Sequence, residues 1–232
     1  MEEFKYSGEL ELFEQAVNWK RYWLRHVKRY LGRRVLENGA GVATNTPLLV
    51  SSACEDWLCL DPDARQVDVM RQAKLPTNCR FACGTITDLA AHEQFDTILY
   101  LDVLEHIEDD RAEVVAARDR LLPGGHIVVL APAYQFLYSR FDAKVGHYRR
   151  YDRHSLAACT ADGLVLEEMR YLDCVGLTAS AANRFLLKAD TPTTALIKLW
   201  DRAMVPLSRY IDPLLRGFAG KSIFAAWRRS DL

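Results

Sequence analysis

His106 and His147 are the two histidines placed to move a proton. Imidazole titrates near neutral pH, so either could take a proton from a hydroxyl or amine as that group attacks an electrophile. His106 ends the run Asp102-Val103-Leu104-Glu105-His106, just after an apolar segment, and His147 sits within Gly146-His147-Tyr148-Arg149-Arg150-Tyr151. Arg149 and Arg150 could hold a carboxylate or phosphate through paired donors. Tyr148 completes the polar-aromatic cluster, Asp142 could orient His147 or bind a sugar hydroxyl, and Tyr134 and Tyr138 could stack on a substrate ring. Each has a plainer reading. His106 could be a helix-start histidine bonded to backbone, and the cluster a surface loop tied by salt bridges. Asp142 could be a loop cap, and the tyrosines core. His26, His92, His126 and His154 read as structural.

A second group of residues could bind a nucleoside. Arg34-Val35-Leu36 leads into Glu37, Gly39 and Gly41 follow, and Asp61 ends the next apolar run, Trp57-Leu58-Cys59-Leu60. Strand, glycine turn, helix, strand, acid is the layout of a nucleoside-binding α/β unit. Glycine lets backbone approach a ligand closely, and the later acid can accept from ribose hydroxyls. A nicotinamide dinucleotide wants a third glycine where the chain has Thr44, and Glu37 would repel a diphosphate. A carboxylate there suits a cationic amino-acid moiety instead.

These groups need a scaffold, and the apolar periodicities supply one. Residues 9–31 read as an amphipathic helix with Leu12, Ala16, Trp19, Trp23, Val27 and Tyr30 on one face. Strands are expected at 33–37, 56–60, 78–83, 95–101, 126–130, 164–172 and 222–229. Helices are expected at 45–53, from Asp63 to Lys74, from an Asp109-Asp110 cap to Leu122, and at 153–160. Pro123-Gly124-Gly125 reads as the turn into the fifth strand, and residues 132–151 show no periodicity. Residues 178–218 read as helical, broken at Pro192, Pro206 and Pro213. The whole is a Rossmann-like α/β fold: a seven-stranded, mostly parallel sheet with helices on both faces and a helical insertion between the last two strands.

The 232 residues carry a net charge of −1, so no nucleic-acid partner is expected. Lys20, Arg21, Arg25, Lys28, Arg29, Arg33 and Arg34 form a basic stretch. It reads as a solvated helix face or, more sharply, as a surface for an anionic substrate or membrane. The insertion reads as a packed lid or homodimer surface, with peripheral membrane contact as the alternative. Six scattered cysteines without a Cys-x-x-Cys pair read as free thiols of a cytoplasmic protein. A zinc site at Cys54/Cys59 and Cys79/Cys83 is set aside, because three of these fall among apolar strand residues; no metal is expected.

Val35-Leu36-Glu37-Asn38-Gly39-Ala40-Gly41 resembles motif I of the class I S-adenosylmethionine-dependent methyltransferases. Asp102-Val103-Leu104-Glu105-His106-Ile107 is similar to a segment of the type 11/type 12 methyltransferases, and Leu121-Leu122-Pro123-Gly124-Gly125 matches their turn before strand five. Pro132-Ala133, Leu137-Tyr138, Phe141-Asp142, the Gly146–Tyr151 run, Val205-Pro206-Leu207-Ser208-Arg209 and Gly220-Lys221-Ser222 resemble a subgroup often linked to glycosyltransferases of polysaccharide or glycolipid pathways. The resemblance implies S-adenosylmethionine as cofactor, with Glu37, Gly39, Ala40 and Gly41 at its methionine part. It implies Asp61 at the ribose, Pro62, Thr85 and Ile86 near the adenine, and Leu101 and Asp102 near the methyl group. The chain departs from the pattern at Asn38, at Ala43 (tolerable if its φ is negative), at Thr85 for a common Asp and at Asp102 for a common Asn.

The resulting expectation is a single methyltransferase domain over 1–232, with an N-terminal helical cap at 1–32, a cofactor core at 33–131 and a substrate-side half at 132–232. Its reaction would methylate an oxygen or nitrogen of a small molecule such as a saccharide, glycolipid or natural-product intermediate. Two rivals stay open: a non-methylating step such as cyclisation in the same pocket, and a non-catalytic binding subunit.

Overall fold

The structure, a computed structural model, describes residues 15–184 and 193–230. Seven strands form one sheet: β1 Arg34–Asn38, β2 Asp56–Asp61, β3 Cys79–Cys83, β4 Phe95–Leu101, β5 Leu121–Pro132, β6 Leu164–Leu172 and β7 Ser222–Arg229. Their order is β3-β2-β1-β4-β5-β7-β6. The first five are parallel and β7 runs antiparallel between β5 and β6. The expected fold class is the one observed.

Strict alternation divides the central strands between two cores. Leu36, Leu58, Ile98 and Ile127 point to one face, while Val35, Trp57, Leu99 and Val128 point to the other. All eight are buried, as a parallel sheet covered on both sides requires. Helices α1 Val17–Val27 and α3 Ala64–Gln72 cover one face through Trp19, Trp23, Val27, Val67 and Met70. Helices α4 Asp110–Arg120 and α6 Arg153–Ala157 cover the other through Val114, Ala117 and Leu156. The remaining helices are α2 Thr46–Leu49, α5 Arg140–Val145, α7 Cys174–Ala182, α8 Thr194–Leu199 and α9 Val205–Leu214.

Four elements differ from expectation. The helix expected at 45–53 is only the short α2, and residues 9–14 of the first helix lie outside the described residues. Pro123-Gly124-Gly125 is a bulge inside a longer β5: pairing steps from Phe95–Leu121 to Thr97–His126, with Gly124 at φ 73. The aperiodic 132–151 stretch contains α5, capped by a Ser139/Asp142 box and ended by left-handed Gly146. The insertion starts at Cys174, and α8 runs into α9 through a π turn, Trp200–Met204. Pro206 does not break it, because it lies in the first turn of α9 beside that wide turn, where its missing N–H is tolerated. Pro213 falls in the last turn of α9, and Pro192 lies outside the described residues.

Three buried aspartates fasten the insertion. Asp173 accepts from Trp200 Nε1 at 2.6 Å, Ser208 Oγ at 2.6 Å and Gly176 N at 2.9 Å. Asp212 accepts from Tyr22 Oη at 2.5 Å and from the Asp173 and Cys174 amides. Asp201 accepts from the amides of Asn18 and Trp19. Together they tie α7, α9 and the π turn to α1 and to the end of β6.

Candidate active site

Neighbouring β1 and β4 lead their crossovers to opposite sides, so a crevice opens at their C-terminal ends, where open α/β sheets bind ligands. A cavity of about 870 Å³ occupies it, lined among others by Glu37, Gly39, Ala40, Gly41, Asp61, Pro62, Thr85, Leu101, Asp102, His106, Asp142, His147 and Arg150. That volume lies within the range of pockets that enclose a nucleoside-sized ligand.

The glycine turn is pinned to β2. The Gly39 and Ala40 amides donate to the Leu60 carbonyl, and the Gly41 amide donates to Asp61 Oδ2 at 2.9 Å. Asp61 Oδ1 accepts from the Asp63 amide. Burial raises the Asp61 pKa while these two amides oppose it. Gly39 has φ 69, and a Cβ there would meet Val103 at 2.6 Å, so both conformation and space demand glycine. Ala43 has φ 60, so the negative φ that would make alanine tolerable there is not what it adopts. Its amide closes the turn onto the Ala40 carbonyl, which holds it there.

Glu37 is 3% exposed. One of its oxygens accepts from Thr46 Oγ1 at 2.7 Å and Trp57 Nε1 at 3.0 Å. Burial pushes its carboxyl up to about 7, against the pull of those two donors. Asn38 donates to Glu113 Oε1, which also accepts from Tyr100 Oη; this explains the unusual amide beside the turn. Thr85 caps a short 3₁₀ turn, giving its amide and hydroxyl to Asp88.

Across the cavity stands a second constellation. Asp142 is fully buried and binds His147 Nδ1 at 3.0 Å. Arg150 grips it through Nε at 2.8 Å and Nη2 at 3.1 Å, and Ser139 donates twice. Burial pushes the Asp142 carboxyl up, but His147 and Arg150 outweigh it and hold it well below the usual range. With Nδ1 donating to that carboxylate, the network assigns His147 Nε2 as the acceptor. Glu105, also fully buried, lies 4.0 Å from Nε2. Burial and then the charge of His147 push His106 down to about 3, far below what a base needs at neutral pH. Its ring sits edge-on to His147 at 4.5 Å.

Glu105, His106 and His147 bring ligating atoms within 4.8 Å of one another. The 4.0 Å between Glu105 and His147 exceeds the roughly 3.4 Å edge of a tetrahedral zinc shell, so the three are not spaced as ligands of a tetrahedral zinc ion. Asp102, at φ 58, has its carboxyl pushed up to about 6 by burial, opposed by His147, Lys221 and Arg150.

Five expected site residues lie outside the cavity lining. Ile86 is fully buried in the core. Tyr134 stacks between Tyr171 and Phe136. Tyr138 Oη donates to the His147 carbonyl at 2.6 Å. Tyr148 is exposed with Arg149 over its ring. Arg149 itself is taken up by Asp110 and the Glu108 carbonyl. Conversely, Trp19, Trp23, Trp200 and Lys221 line the cavity and were missed as site residues. The two α1 tryptophans appeared only as an apolar helix face, and Lys221 only within the Gly-Lys-Ser run.

The comparisons fit this geometry. Residues 36–129 match the methyltransferase domain family, and no curated protein matches. Among solved structures, one partner in the complex between the Haloferax volcanii Trm112 methyltransferase activator and a methyltransferase is similar over 98% of both chains, with 14% identity and TM-score 0.65. The N-methyltransferase NodS from Bradyrhizobium japonicum WM9 is similar over 94% of this chain and 99% of its own, with 16% identity and TM-score 0.59. NodS is also known in complex with S-adenosyl-L-homocysteine. The [4+2]-cyclase SpnF is similar over 96% and 94%, with 14% identity and TM-score 0.60. At such identities the likeness is one of fold. The residues at the crevice suit the cofactor: a buried acid for an ammonium stands beside a glycine turn. Residues 36–129 are thus a methyltransferase domain match, set in the fold that solved S-adenosylmethionine-dependent methyltransferases share.

Proposed function

We propose that this methyltransferase transfers a methyl group to an oxygen, or else a nitrogen, of a small polar acceptor such as a saccharide or glycolipid. The observation carrying this reading is that the Asp142–His147 pair and the Glu37–Gly41 turn line one cavity. Bound S-adenosylmethionine supplies a methyl group already activated on a sulfonium. Glu37 takes its ammonium and Asp61 the ribose side, with Thr85 and Pro62 toward the base and Leu101 and Asp102 beside the reacting centre. His147 Nε2 removes the acceptor's proton as the new bond forms. Asp142 fixes the ring and, with Glu105, stabilises the imidazolium. Arg150 holds Asp142 ionised throughout.

Calorimetry with S-adenosylhomocysteine and transfer of a labelled methyl group to saccharide and glycolipid acceptors test the reading. His147→Ala is expected to lower turnover by about 10²–10⁴ while leaving cofactor affinity within about twofold. Unchanged turnover removes His147 from the role. Tight cofactor binding without transfer to any acceptor points to the non-methylating alternative.

A further inference from the structure

Helix α9 is inside out. Val205, Ser208 and Asp212 face the protein, and the two polar members are bonded to Asp173, to Tyr22 and to backbone amides. The opposite stripe, at the same spacing, carries Leu207 (50% exposed), Tyr210 (77%) and Leu214 (82%), followed by Phe218 at 73%. A helix on an aqueous surface has the reverse arrangement. Charge is sorted just as sharply. Between 193 and 218 the acids are Asp201 and Asp212, both buried. The bases Lys198, Arg202, Arg209 and Arg216 are all exposed. The outward surface of the insertion is therefore apolar and cationic.

Beside this stripe lies a second cavity of about 240 Å³, walled by α1, the end of β6 and α9. Arg25, Arg29, Arg170 and Arg209 line it, with His26 and the acid Asp212. Both oxygens of Asp212 are already engaged by Tyr22 and two amides. Glu168, just outside, takes up Arg29 and Arg170. Arg25 and Arg209 stand together: burial and then the Arg209 charge lower the pKa of Arg25. Two adjacent guanidiniums in a recess suit a phosphodiester, and the neighbouring leucines, tyrosine and phenylalanine suit acyl chains just beneath it.

We propose that α9 and the Arg25/Arg209 recess dock this protein on an anionic phospholipid bilayer, with Leu207, Tyr210, Leu214 and Phe218 in the interface and a headgroup phosphate between the two arginines. No described helix is long and apolar enough to cross a membrane, so the helix lies along the surface. A second copy of the chain is a poorer occupant, because an isologous contact through this face would set arginines against arginines. Trp200, in the same insertion, lines the large cavity, so docking places the wall of that cavity close to the lipid. The inference stands whichever acceptor is methylated.

Vesicle flotation tests it. The full chain is expected to float with phosphatidylcholine vesicles containing about one-third phosphatidylglycerol and to stay behind with pure phosphatidylcholine. Arg25→Glu/Arg209→Glu, which reverses the recess charge, and Leu207→Ser/Leu214→Ser, which removes the apolar anchor, are each expected to weaken binding at least about tenfold. S-adenosylhomocysteine affinity is expected to stay unchanged in both variants, which separates this test from that of the reaction. Three results would overturn the proposal: no flotation of the unaltered chain, flotation of both variants like the unaltered chain, or a dimer in sedimentation that Leu207→Ser/Leu214→Ser abolishes while vesicles are ignored.

Discussion

Glu37 is a carboxylate built into an apolar wall, and that makes its charge conditional. Burial raises its pKa from 4.5 to about 7. The folded state therefore binds more protons than the unfolded state between those values. The stability this gives is fully present below about 4.5 and is lost as pH rises through about 7. Glu37→Gln keeps an oxygen for Thr46 and Trp57 but cannot ionise. The ligand-free variant is expected to match the parent at pH 4.5 and to be more stable at pH 8, by up to about 3 kcal/mol, in denaturant titrations. Cofactor binding is expected to change the opposite way. An ammonium at Glu37 needs the ionised acid, so parent affinity falls up to about tenfold per pH unit below about 7, whereas the variant binds weakly and without that slope. A parent affinity that is flat from pH 5 to pH 8 would remove Glu37 from the ammonium. The role proposed for Glu37 was legible in its place before the glycines. Its pKa was not, because that depends on Trp57 and Thr46 closing over it.

At the scale of elements, the site is assembled by two segments whose sequence hid them. The aperiodic 132–151 stretch becomes α5 and a loop, which Asp142 fastens to His147 and Arg150. Tyr138 and Arg149 lie in the same segment but serve its shape, because their polar atoms are spent on carbonyls and Asp110. The insertion hangs on Asp173, which holds Trp200, Ser208 and the start of α7. Asp173→Ala leaves three buried donors without an acceptor, a loss of at least about 3 kcal/mol. The expected result is lowered stability in urea together with faster proteolysis inside 193–218 than inside the sheet. Equal cleavage at both places would show that the insertion is held by its apolar contacts alone. Nothing in the spacing of Asp173, Asp201 and Asp212 marks them as anchors, since their partners lie far away along the chain.

For the molecule as a whole, the cavity joins parts that fold separately in sequence: the β1 and β2 ends, α1, the 132–151 segment and the insertion. A ligand spanning them stabilises only the folded state. S-adenosylhomocysteine at about 100 times its dissociation constant is expected to contribute about 2.7 kcal/mol. For a chain of this size that raises Tm by roughly 5–10 °C in calorimetry. An unchanged Tm at millimolar ligand would mean that S-adenosylhomocysteine does not bind the folded chain.

The sequence alone determined the sheet, the glycine turn and the acids at the strand ends. Those follow from local periodicity and from the conformational freedom of glycine, which need no distant partner. It also brought His147 and Asp142 forward, through their place in one polar run. Only the tertiary structure took His106 out of the neutral range, because burial beside His147 lowers its pKa. Tertiary packing likewise turned Tyr134 into a stacking partner for Tyr171, brought Trp19, Trp23 and Trp200 to the cavity, and faced the polar side of α9 inward. Each of those outcomes depends on what lies opposite a side chain in space, which periodicity along the chain does not encode.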